Sequence, residues 1–148
     1  MDTANDVSVL NNLIKTTLDS VKGFRDAADD AEGSRFTSLF TQMASDRERV
    51  VSELQDVVRQ RGGTPEDSSS IAGAAHRTFM NLKDMLVSRD EKAIINEVER
   101  GEDYLKSKYE AAMADANLPV ETRAVIERCF ASVREGHDRV SALKHSMA

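Results

Sequence analysis

Reading the chain in alternating steps of three and four residues reveals four long apolar stripes, each broken once near its middle by a polar side chain. The first runs Val7, Leu10, Ile14, Thr17, Val21, Phe24, Ala28, and the second Phe36, Phe40, Met43, Arg47, Val50, Leu54, Val57. A third gives Ile95, Val98, Glu102, Leu105, Tyr109, Ala112, Ala116, and a fourth Ile126, Phe130, Val133, His137, Val140. This spacing keeps one face of an α-helix apolar. Four such faces predict an all-α fold, a four-helix bundle formed as one domain over residues 1–148. Helical bundles build cofactor sites from mid-bundle side chains, so the polar interruptions are where function is sought.

Punctuation sets the expected boundaries. Helix A starts near Thr3 to Asp6, where Thr, Asn and Asp offer caps, and ends around Ala31 before Gly33. Helix B runs from about Ser34 to Arg61, stopped by Gly62-Gly63-Thr64-Pro65. A polar linker, Glu66 to Ser70, leads to a shorter helix from about Ser69 to Val87 with the stripe Ile71, Ala75, Phe79, Leu82, Leu86. Met80, Met85 and Val87 add apolar surface outside that stripe. Asp90 caps helix C, which ends near Asn117, and Pro119 opens helix D, which runs to about Lys144. The order is therefore hairpin, long helical connection, hairpin. A connection of that length returns the chain along the whole bundle, the ferritin-like arrangement rather than simple up-and-down topology.

Composition narrows the partners. Asp+Glu 26 against Lys+Arg 20 gives a net charge of −6 with no basic stripe, which argues against nucleic acid or an anionic membrane surface. No apolar run reaches membrane-spanning length and the N-terminus lacks a leader pattern, so a cytoplasmic protein is expected. The single cysteine, Cys129, beside Phe130, reads as a buried inert thiol. His76 and His145 read as surface histidines, and Tyr104 and Tyr109 as rim and core packing. Gly23, Gly101 and Gly136 interrupt helices, where close helix approach is their simplest use. Gly101 is also a candidate π-bulge.

Antiparallel neighbours place residues equidistant from a shared turn opposite each other. Counting from Glu32 sets Thr17 against Arg47. Counting from Leu118 sets Glu102 against Arg134 and Glu99 against His137. The expected polar core layer is thus Thr17, Arg47, Glu99, Glu102, Arg134 and His137. Its favoured reading is a charge-assisted hydrogen-bond network that fixes helix register. Alternatives are a cation site on Glu99, Glu102 and His137, with Asp103 nearby, and an anion pocket at Arg47 and Arg134.

The phrases LNNLIKTTLDSVKGFRDAA, ELQDVVRQRGGTPEDSSSIAGAAHRTFMNLK, NEVERGEDYLKSKYEAA and EGHDRVSALK give the chain a further likeness. It resembles an uncharacterised bacterial family of ferritin-like four-helix-bundle proteins, a domain of unknown function, over nearly its full length. Di-iron members of the wider superfamily carry a Glu in helices A and C and a Glu-x-x-His in helices B and D. Laid on this sequence, that pattern keeps Glu102 as its only carboxylate: Thr17 stands for the helix-A Glu, the helix-B pair becomes Arg47 and Val50, and the helix-D pair becomes Arg134 and His137, so one of the two imidazoles is lost. Fixed positive charge in place of carboxylates repels divalent cations. The resemblance therefore implies a bundle degenerate at its metal centre, with no cofactor expected, and a structural or stress-related interaction role rather than an enzyme. The alternative is an iron- or manganese-binding oxidase or storage protein at Glu99, Glu102 and His137. A homodimer or protein partner is expected to use the crossover helix through Ile71, Phe79, Met80 and Met85.

Overall fold

The computed structural model describes residues 3–67, 79 and 82–147. Every regular element among these residues is an α-helix: α1 (Thr3–Asp30), α2 (Thr37–Gln60), α3 (Leu82–Ser88), α4 (Glu91–Met113) and α5 (Val120–Ser146). The expected crossover helix is described only in its last part, as α3, so Ile71, His76 and Met80 lie outside the described residues.

Local chemistry explains where the helices stop. The α1–α2 turn places Gly33 at φ +84, and Ser34 Oγ accepts the Phe36 N–H at 3.1 Å. That side-chain bond holds residues 34–36 in a turn, so α2 starts at Thr37 rather than Ser34. At its far end Gly62, at φ +81, donates to Arg59 O at 3.0 Å while Gly63 donates to Val58 O at 2.9 Å. This pair of bonds is the Schellman closure, which requires a left-handed residue. The α3–α4 junction closes in the same way, Arg89 N–H to Leu86 O at 3.2 Å and Asp90 N–H to Met85 O at 3.2 Å, but its left-handed residue is Arg89, at φ 61. Asp90 then caps α4 by accepting the Ala93 N–H at 3.1 Å. α4 ends at Met113, short of Asn117, because the Asp115 carboxylate accepts the Asn117 N–H at 2.9 Å and draws the chain out of the helix. α5 continues past Lys144 to Ser146, and α4 passes through Gly101 as ordinary α-helix, without the expected π-bulge.

The long helices pack as a ring, α1 on α2, α2 on α5, α5 on α4 and α4 on α1. Short turns make α1–α2 and α4–α5 antiparallel. Side-chain pairs do the same for α2–α5, with Glu53 on Arg128 and Asp46 on Arg139. In α1–α4, Thr17 meets Tyr109 while Ser20 and Glu102 share Arg47. Consequently α2 and α4 run parallel and face each other across the bundle axis. The segment joining them is held at its start by Asn11, which donates to Thr64 O at 3.1 Å and accepts the Glu66 N–H at 2.9 Å. It reappears at Phe79, packed edge-on against Phe24 at 4.8 Å near the opposite end of α1.

Two apolar clusters fill the interior. One holds Leu10, Ile14, Leu54, Tyr109, Ile126 and Val133, and the other Phe24, Phe36, Phe40, Ile95, Val98 and Val140. The polar layer lies between them.

Candidate functional site: an ion pair across the bundle axis

Arg47 reaches from α2 across the axis to Glu102 on α4, and both side chains are 1% exposed. Nη1 donates to Glu102 Oε1 at 2.8 Å and Nη2 donates to Oε2, so each guanidinium edge nitrogen meets one carboxylate oxygen. Nη1 also donates to Ser20 Oγ at 3.0 Å, and the guanidinium lies 5.8 Å from the Phe24 ring centroid. A planar fork matched to a planar carboxylate is the strongest geometry for a side-chain ion pair. Burial alone would lower the Arg47 pKa, but the facing Glu102 carboxylate outweighs it and holds the guanidinium above its ordinary value.

Gly136 makes room for this pair. A Cβ at that position would stand 2.6 Å from Arg47 Nη2 and 3.0 Å from Met43 Cε. The inward stripe of α5 accordingly runs Ile126, Cys129, Val133, Gly136, Val140, with Gly136 rather than His137 at its centre. His137 sits one step round the helix and is 13% exposed, with Nε2 2.6 Å from Asp103 Oδ1. One turn below the pair, Thr17 Oγ1 lies 2.7 Å from the Tyr109 hydroxyl and donates to Leu13 O at 2.7 Å. Burial, opposed by the Thr17 hydrogen bond, raises the Tyr109 phenol above its usual range.

Arg47 and Glu102 are therefore brought into one buried layer, with Thr17 buried one turn below it. The other three expected members lie elsewhere. Glu102 is not met by Arg134, whose side chain is exposed on the outer face of α5. Glu99 does not meet His137 but accepts from Lys144 Nζ at 2.8 Å. Arg47 meets Ser20 instead of Thr17, because the non-helical turn spans residues 31–36 and moves the hairpin's centre beyond Glu32. Ser20 escaped the sequence reading, although it lies three residues after Thr17, one turn along the same face. Asp6, expected as a cap, is buried and tied to Arg61, the residue that ends α2, and to Thr122 of α5, the latter at 3.4 Å. Among the described residues no three His, Cys, Asp or Glu side chains converge to hold a metal ion.

A family model described as Domain of unknown function (DUF2383) matches residues 5–115. The chain belongs to that family. The DUF2383 match contains both Arg47 and Glu102 and ends before α5, which supplies Gly136. Comparison with curated proteins gives no match. No described helix is long and apolar enough to cross a membrane.

Proposed function

We propose that this chain is a ferritin-like four-helix bundle in which an internal ion pair takes the place of a mid-bundle metal centre, acting non-enzymatically through protein contacts. The antiparallel hairpins, the parallel relation of α2 and α4 and the long segment joining them support the topology. A stress-related role, which rests on the sequence resemblance, and a cytoplasmic location, expected from the sequence pattern, belong to the same proposal.

The observation that carries the reading is the two-pronged Arg47–Glu102 pair. Glu102 is the one carboxylate retained from the di-metal pattern, and both of its oxygens are engaged by a fixed cation. The remaining donors do not fit a di-metal site either. Thr17 is bonded to Leu13 and Tyr109, while His137 and Glu99 are turned to Asp103 and Lys144. A divalent cation at Glu102 would have to displace a guanidinium in a nearly dry interior, against the charge it displaces.

Protein contact is assigned to the α3 end of the bundle. Phe79 turns inward onto Phe24 and Met85 packs half-buried against the core, leaving Val87, 77% exposed, as the exposed apolar residue among the described residues of this stretch. The test is aerobic oxidation of ferrous ion. The reading expects wild type and Glu102→Gln to oxidise it at the same rate, and saturable wild-type turnover lost in Glu102→Gln would overturn it.

A further inference from the structure

Beside Val87 the surface opens into a cleft of about 470 Å³ between the α1–α2 turn and the α3–α4 junction. Its floor is apolar, formed by Phe36, Leu86 and Ile94. Apart from the Arg35–Glu91 pair that bridges them, its two walls carry charges of opposite sign. The α1–α2 side contributes Asp30 and Glu32, and the α3–α4 side contributes Arg89. None of these three makes an ion pair with another described residue, whereas Arg35 and Glu91, 3.5 Å apart, join the two walls to each other. An apolar knob thus stands at the edge of an apolar hollow, with a cation on one wall and carboxylates on the other that pair with no other described residue.

A two-fold axis converts that arrangement into its own complement. Docking the patch onto a rotated copy of itself would lower Val87 of each copy into the cleft of the other and set each Arg89 against the Asp30 and Glu32 of its mate. Isologous interfaces require this self-complementarity. A desolvated apolar centre with a rim of matched charges is the arrangement from which specific interfaces draw affinity and orientation. We propose that the occupant of this cleft is a second copy of the chain, docked about a two-fold axis with Val87 in the facing cleft and Arg89 paired with Asp30 and Glu32 of the mate. The proposal deepens the protein-contact reading above and rests on it.

Charge reversal supplies a test specific to the symmetry. Variant one is Arg89→Glu, and variant two is Asp30→Lys with Glu32→Lys. All three positions are exposed, and circular dichroism should show both variants folded. Sedimentation equilibrium is expected to show self-association of the wild type, weakened at least about tenfold in either variant alone, where like charges face each other. Mixing the two variants should restore dimerisation, since every charged pair in the mixed dimer is again complementary. Val87→Asp should weaken association by a similar factor, and no mixing with either variant should restore it fully. Wild type that stays monomeric at all concentrations overturns the second copy as occupant. Dimers indifferent to all three changes overturn this surface while leaving a protein-contact role standing. Failure of the broader reading is read separately, as turnover in the ferrous-oxidation assay.

Discussion

Removing one partner of the Arg47–Glu102 pair should be among the most costly single changes in this protein. In Glu102→Ala the guanidinium stays where it is, 1% exposed, with Ser20 Oγ at 3.0 Å and the Phe24 ring as its remaining partners. An uncompensated buried charge of this kind costs roughly 3–5 kcal/mol. Against a total stability of roughly 5–15 kcal/mol for a domain, that is a large share. For a chain of this size it corresponds to a fall of roughly 6–20 °C in Tm. Replacing both partners, Arg47→Met with Glu102→Leu, removes the unpaired charge together with its desolvation cost and should come out near neutral or stabilising. Urea unfolding followed by far-ultraviolet circular dichroism is the assay, with a shifted midpoint and an unchanged slope marking a pure stability effect. A Glu102→Ala protein as stable as wild type would refute the reasoning, as would a double variant whose loss equals the sum of the single losses.

Gly136→Ala should destabilise the wild type by about 1–3 kcal/mol, because the new methyl is forced against Arg47 Nη2. In the Arg47→Met background the same change should be nearly neutral, a non-additivity readable from urea midpoints. Arg89→Gly should stabilise the monomer by about 1 kcal/mol, since only glycine takes the left-handed closure of α3 without strain, and thermal unfolding of dilute protein checks it. Cys129 predicts a pH dependence. Burial, with Glu53 nearby, pushes its thiol from 9.0 up to about 12, so above pH 9 the unfolded chain loses a proton that the folded chain keeps. The contribution of Cys129 to stability is therefore complete below pH 9 and lost as pH rises toward 12. The fall of Tm with pH over that window should be shallower in Cys129→Ala, and Tyr109, also raised by burial, acts in the same direction.

The four long helices were legible because each repeats an apolar face over many turns, and their ends because Gly33, Gly62, Asp90 and Pro119 are strong punctuation. Arg47, Glu102 and Thr17 were legible as polar breaks in those faces. Their partners were not. Counting from hairpin turns compares only neighbouring helices, whereas Arg47 spans the diagonal between α2 and α4, a relation that exists only once both hairpins are docked. His137 and Gly136 are adjacent in sequence, and the choice of which one faces the axis is set by the bulk of the guanidinium opposite, not by the period of α5. Arg134 and Glu99 lie beside their stripes, where a long side chain reaches inward or to solvent depending on the nearest opposite charge. Arg89 carries no local signal of a left-handed conformation. Its φ is imposed by the short passage from α3 into α4.

The most direct test of the central claim, that an ion pair holds the position of a metal centre, is metal content and Tm measured together. The protein is incubated anaerobically with ferrous, manganous or zinc ions and then desalted. The account predicts no stoichiometric metal and an unchanged Tm. One metal per chain that raises Tm and is lost in Glu102→Ala would contradict it.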